Sequence, residues 1–111
     1  MGDKLAEGDL AELYAALGDA SRCLIVERLS RGEATVKELR APLRMTAPAV
    51  SKHLRVLEDV GLIERRRHGR LQMCRLRGER LVVARRWLEQ QTEFWTATLD
   101  SLGDFLDREP T

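Results

Sequence analysis

A chain of 111 residues has room for one domain and buries only a modest share of its surface, so pairing with a second copy would help it. With 43% hydrophobic and 33% charged residues it reads as a soluble globular protein. No apolar run approaches the ~18 residues a membrane helix needs, the acidic start MGDKLAEGDLAEL is no secretory signal, and two cysteines are too few for a disulfide framework, so a cytoplasmic location is expected.

The 19 Lys+Arg and 18 Asp+Glu leave a net charge of +1, but unevenly. Residues 37–86 hold 14 basic and 5 acidic residues, a balance of +9, and the remainder hold 5 and 13, a balance of −8. This asymmetry suits a middle segment that faces a polyanion, flanked by segments that face something else.

Residues 1–8 read as a loose leader. Leu10, Leu13, Tyr14 and Leu17 fall at i, i+3, i+4 and i+7, so 9–17 is predicted to be a short amphipathic helix. Gly18 and Asp19 stop it. Asp19 or Ser21 can cap a second helix running to about Ser30, with Ile25, Val26 and Leu29 inward. Arg31-Gly32-Glu33 is a turn. Thr35 can cap a third helix, VKELRAPL, anchored by Val36, Leu39 and Leu43; Pro42 keeps it short or ends it irregularly. Arg44 and Met45 connect it to the next element.

The segment TAPAVSKHLRVLEDVGLI carries the most information. Thr46 is a good N-cap, and Pro48 is tolerated because first-turn N–H groups have no intrahelical partner. The helix is expected to reach Val60, with Gly61 supplying a left-handed exit. Val50, Leu54 and Leu57 form its apolar stripe; Pro48, Ser51, Lys52, Arg55 and Asp59 lie opposite. Cations and hydroxyls on the N-terminal half of a helix, beside the small Ala47 and Ala49, are what insertion into a DNA groove requires. The alternative is an ordinary amphipathic helix with a solvated face. His53 borders the stripe and either fills a crevice or touches a phosphate.

Leu62–Arg67 and Leu71–Leu76 read as two strands around His68-Gly69, and Gly78 ends the hairpin. Arg65, Arg66, Arg67, Arg70 and Arg75 load it with cations, although alternation sends Arg65 and Arg67 to one face and Arg66 to the other. A charge run alone is commonly just solvated surface, but a cationic helix followed at once by a cationic hairpin is a more specific combination. From Glu79 to Leu106 runs one long helical pattern. Leu81, Leu88, Trp95 and Leu102 recur every seven residues, with Ala84, Gln91, Thr98 and Phe105 three residues later, and Trp87 and Phe94 widen the stripe. Such a helix, about 40 Å long, is too long for a domain this small to cover and should find a partner chain. Gly103 interrupts the pattern near its end.

The strings AVSKHLRVLEDVGLI and ERRRHGR, together with LGDASRCLIVERL, resemble the signature of ArsR-type winged helix-turn-helix regulators over roughly residues 10–78. The resemblance implies a mainly α fold with a small β-hairpin and a long C-terminal helix for dimerisation. In one domain, 35–60 would be the helix-turn-helix, 62–76 the wing, and 9–17 with 79–106 the dimerisation helices. It implies DNA contacts from Thr46, Ala47, Pro48, Ser51, Lys52 and Arg55 on the reading helix and from Arg66, Arg67, His68, Gly69 and Arg70 on the wing. The expected dimer interface holds Leu10, Leu13, Tyr14, Leu17, Leu81, Leu88, Phe94, Trp95 and Leu102.

The family's metal-sensing motifs are absent: VKELRAPL has no Cys or His, and no His follows Gly78, so neither metal nor cofactor is expected. Cys23 lies opposite the Ile25/Leu29 stripe, a position that leaves exposure and oxidation open to it, while Cys74, on a strand face with Leu76, reads as a small buried apolar residue; for both, the leading reading is no functional role. Double-stranded DNA and a second copy are the expected partners, and no effector can be named. The leading reading is a homodimeric repressor on a palindromic operator. A protein–protein adaptor or a redox-responsive regulator on the same fold is the alternative. No nucleophile–base pair, carboxylate pair or phosphate-cradling loop suggests an enzyme.

Overall fold

Three helix starts in this chain are closed by a side chain that stands in for a missing helical acceptor, and these caps place the elements. The structure, a computed structural model, describes residues 7–108. Of the expected leader, residues 1–6 lie outside the described residues, and Glu7 and Gly8 already belong to α1 (Glu7–Leu17). Asp19 then caps α2 (Ala20–Leu29), its Oδ1 accepting from the Arg22 N–H at 3.1 Å. Between them Ser21 and Asp19 were open as caps on sequence; Asp19 takes the role.

Ala34–Thr35 form a two-residue strand, β1, that runs directly into α3 (Val36–Leu43). Thr35 and Glu38 make a reciprocal capping box: the Glu38 N–H donates to Thr35 Oγ1 at 3.0 Å and the Thr35 N–H to Glu38 Oε1 at 2.8 Å. Pro42 falls in the last turn of α3, and the chain leaves through Arg44 in the left-handed region, φ 54°. Arg40 Nε donates to the Met45 carbonyl at 3.2 Å across this turn. Thr46 caps α4 (Ala47–Asp59) by accepting from the Ala49 N–H at 3.2 Å.

The exit of α4 needs glycine. Gly61 has φ +78°, its N–H donates to the Glu58 carbonyl, and the Leu62 N–H reaches back to the Leu57 carbonyl, both at 3.0 Å. This is a Schellman ending, which satisfies two orphan carbonyls. It turns the chain into β2 (Ile63–His68), paired antiparallel with β3 (Leu71–Leu76) from Ile63↔Leu76 to His68↔Leu71. The strand therefore starts and ends one residue later than expected, with Leu62 committed to the helix ending and Gly69-Arg70 forming the turn. β1 adds to the other edge of β3 through Ala34↔Cys74 and Thr35↔Met73, giving a three-stranded sheet, β1-β3-β2, where sequence suggested a hairpin alone. Last comes α5 (Gly78–Arg108), which runs through Gly103 without a break.

One core holds these pieces: Leu13 and Ala16 of α1, Ile25, Val26 and Leu29 of α2, Leu39 of α3, Val50, Leu54 and Leu57 of α4, and Leu62, Ile63, Ala34 and Cys74 around the sheet. Each fully buried Leu contributes about 1.5–3 kcal/mol. Along α5 only Ala84 is buried, and the helix extends past the body, so the molecule measures 71 × 36 × 23 Å. Among the described residues no helix is long and apolar enough to cross a membrane.

Candidate nucleic-acid interface

Burying Val50, Leu54 and Leu57 fixes which side of α4 looks outward. Thr46, Ala47, Pro48, Ser51, Lys52 and Arg55 are all exposed. Among the described residues, no carboxylate forms an ion pair with Lys52 or Arg55, so both cations are available. The positive end of the α4 helix dipole lies at the same end.

The hairpin's cations divide into two sets. Arg65, only half-buried, donates from Nε and Nη2 to Glu58 Oε1 at 3.3 and 2.9 Å, pinning the base of the wing to the last turn of α4. Arg75 pairs with Glu64 at 2.7 Å across the strands. These two guanidiniums are spent within the chain, Arg65 on the wing's attachment and Arg75 inside the hairpin. Arg66 reaches Glu33 at 3.4 Å and stays largely exposed. Arg67, His68, Gly69 and Arg70 form the exposed tip, and among the described residues Arg67 and Arg70 have no ion-pair partner. Of the five arginines of the sequence pattern, Arg67 and Arg70 are therefore wholly available, and Arg66 partly.

His53 takes the crevice alternative rather than the outer face, its side chain 16% exposed and turned to α2. Its Nδ1 is 3.1 Å from Arg22 Nη1 and 4.0 Å from Asp19 Oδ1. The Asp19 carboxyl is held below its ordinary value, first by the Arg22 N–H it accepts from, with the neighbouring Arg22 charge adding to it. Sequence reasoning missed this node, as well as the Glu58–Arg65 and Glu33–Arg66 pairs, because their partners come together only through the fold.

The expected dimer residues also divide. Leu13 is 1% exposed and belongs to the chain's own core, which corrects its assignment to an interface: the α1 stripe serves two surfaces, and Leu13 faces inward. Leu10, Tyr14, Leu17 and Leu81 are half-buried. The Tyr14 hydroxyl donates to the Ala84 carbonyl, and its ring lies 5.7 Å from that of Trp87, so Tyr14 joins α1 to α5. Burial raises its hydroxyl above the ordinary tyrosine value. Leu88, Phe94, Trp95 and Leu102 are exposed, together with Leu99, Phe105 and Leu106; of these, Leu99 and Leu106 went unremarked in the heptad pattern.

Both cysteines are free. Cys74 is buried as expected, and burial pushes its thiol up to about 11. Cys23, whose exposure the sequence left open, is partly covered, with Sγ donating to the Leu17 carbonyl at 3.0 Å at the end of α1. Among the described residues no group of three or more His, Cys, Asp or Glu is placed to hold a metal ion.

A four-helix body containing an α3–turn–α4 unit, a sheet whose β2–β3 hairpin projects from it, and a long last helix define a winged helix-turn-helix protein. The model of the bacterial regulatory protein, arsR family, matches residues 19–65, from the cap of α2 into the wing. The HTH-type transcriptional regulator Rv2034 of Mycobacterium tuberculosis is 36% identical over 96 residues, covering 86% of this chain and 87% of that protein. A crystal structure of an ArsR family transcriptional regulator superposes with TM-score 0.77 at 37% identity, covering 83% of this chain and 95% of that one. A solution structure from Mycobacterium bovis, described as a homodimeric winged helix-turn-helix DNA-binding domain, matches with TM-score 0.63 at 32% identity over 77% of each chain. The chain belongs to the ArsR family of bacterial regulatory proteins, and so is a transcriptional regulator and not an enzyme.

Proposed function

We propose that two copies of this chain bind a palindromic DNA operator in the cytoplasm and repress transcription from it. The observation that carries the reading is the outward face of α4, where Lys52 and Arg55 stand exposed with no carboxylate among the described residues neutralising them, while Arg67 and Arg70 at the wing tip have no ion-pair partner among those residues either. Lys52, Arg55, Ser51 and Thr46 are the groups for base edges and adjacent phosphates, with Ala47 and Pro48 allowing close approach. Arg66, Arg67, His68, Gly69 and Arg70 are the groups for the flanking backbone or minor groove. The exposed stripe of α5, including Leu88, Phe94, Trp95 and Leu102, with Leu10, Tyr14, Leu17 and Leu81 beside it, is the surface for the second copy. Two-fold symmetry would set the paired α4 helices one DNA turn apart, about 34 Å.

The test starts from a random-sequence duplex library. The protein is expected to enrich an inverted repeat, and its affinity for that duplex should fall steeply as salt rises, with a log–log slope near −0.9 per phosphate neutralised. Lys52→Ala should lower affinity about tenfold and leave the dimer intact. No enrichment, or binding indifferent to salt, would sink the reading. The exposed aromatic helix would also suit an adaptor, but the unneutralised cations of α4 and the wing have no use in one.

A further inference from the structure

One arginine of α2 bonds to both α1 and the recognition helix α4. Arg22 lies in the first turn of α2. Its Nε donates to the Ala16 carbonyl at 2.6 Å and its Nη2 to the Ala15 carbonyl at 3.4 Å. Both carbonyls sit in the last turn of α1, where the dipole end is negative; Ala15 also accepts from the Gly18 N–H. The remaining arm, Nη1, meets Nδ1 of His53 in the middle of α4 at 3.1 Å. A guanidinium has only donors, so in this contact Nδ1 of the imidazole is the acceptor. The His53 side chain is 16% exposed, and Asp19 Oδ1 stands 4.0 Å from Nδ1 on the other side. Asp19 also caps α2 by accepting from the Arg22 N–H, so the start of α2 and the guanidinium are set by the same residue pair.

The apolar stripe of Val50, Leu54 and Leu57 holds α4 against the core, but apolar packing is non-directional and leaves small shifts along and about the helix axis inexpensive. The forked hydrogen bonds of Arg22 supply direction. We propose that Arg22 and His53 are positioning residues for DNA recognition: the guanidinium is a strut that fixes the register of α4 against the C-terminal end of α1. This rests on the reading above that α4 enters DNA and that α1 and α5 lie at the dimer surface. On that reading, one end of the strut bears on an element near the two-fold axis and the other on the element that reads DNA. The strut therefore sets the spacing between the two recognition helices, which an inverted repeat measures.

The experiment uses the full chain and the duplex it enriches, with an unrelated duplex of equal length as the non-specific probe. His53→Leu removes the acceptor and Arg22→Lys keeps the charge but loses the fork. Each is expected to weaken binding to the enriched duplex about tenfold, the size of one hydrogen bond to a charged group, and to change non-specific binding by less than about twofold. The double variant is expected to lose about tenfold as well, not a hundredfold, because the two residues act as one unit. His53→Asn, whose Oδ1 falls near the position of Nδ1, is expected to recover to within about threefold of wild type. Equal losses on both duplexes, independent losses that multiply, or an Asn variant as weak as the Leu variant would each overturn the strut and leave a merely structural contact. Wild-type protein that enriches no duplex would overturn the DNA reading and the strut with it. Enrichment by wild type, with His53→Leu equally tight, would overturn the strut alone.

Discussion

Gly61→Ala is the sharpest perturbation of the junction between the recognition helix and the wing. Gly61 holds φ +78°, where an L-residue's Cβ crowds its own backbone at a cost of about 1–2 kcal/mol. The added Cβ would stand 3.0 Å from Arg80 Nε, 3.6 Å from its Cγ and 3.8 Å from its Cδ, so the half-buried Arg80 side chain must rotate aside, adding about 0.5–1 kcal/mol. Reduced freedom of the unfolded chain offsets about 0.4–1 kcal/mol of this. The net loss is about 1–2 kcal/mol, or roughly a 5–10 °C fall in Tm for a domain of this size. Gly69→Ala is the control. Its φ is +66° but nothing lies within 4 Å of an added Cβ, so it lacks the Arg80 contribution and should lose visibly less. Gly61→Asn, which tolerates the left-handed region, should fall between wild type and Gly61→Ala. Circular dichroism melts at matched protein concentration measure all three, since association would itself raise Tm. A Gly61→Ala variant melting within about 2 °C of wild type would refute the assignment of this residue as a strained helix exit.

Trp95→Ala should leave the fold of the single chain intact, because Trp95 is 58% exposed there, yet raise the dimer dissociation constant at least about tenfold by sedimentation; an unchanged dimer at low concentration counts against α5 as the pairing surface. Asp19 carries a carboxyl lowered from 3.8, so its contribution to stability is present above that value and drains away as pH falls through the lowered one. Melts between pH 6 and 2.5 should show an acid limb that is shallower in Asp19→Asn, which keeps the cap but cannot titrate, and identical limbs would contradict this. Cys74, with its thiol near 11 and its side chain buried, should resist iodoacetamide at pH 8 in the native protein and react once denatured; rapid native labelling seen by mass spectrometry would show the sheet to be open there.

What sequence could say here follows the range of the interactions. The caps at Thr35, Thr46 and Gly61 were legible because each is a local bond between residues three to five apart. The apolar stripe of α4 was legible from period alone. β1 was not, because Ala34-Thr35 has no strand character of its own and becomes a strand only by pairing with Cys74 and Met73. Leu13 shares its stripe with Leu10, Tyr14 and Leu17, and period does not say which flank turns to the chain's own core and which to a partner. The arginine-rich hairpin looked uniform in sequence. Glu58, seven residues away from Arg65, and Glu33, 33 residues away from Arg66, sorted its members into anchors and available cations. Arg22 and His53 are 31 residues apart, beyond any local signal, and the partial cover over Cys23 comes from the end of α1 through the fold as well.

The far half of α5 has a thermodynamic consequence. Residues 89–108 are exposed throughout and pack on none of the core, so their helix draws its support from its own backbone and from bonds such as Thr98 Oγ1 to the Phe94 carbonyl. An isolated helix of roughly 20 residues with this many aromatic and β-branched side chains is marginal in water. Helical order in those turns is then borrowed from whatever surface covers them, which makes tail ordering and subunit assembly one equilibrium. Dilution should melt the tail before it touches the rest of the chain, so that ellipticity at 222 nm depends on protein concentration well below the thermal transition.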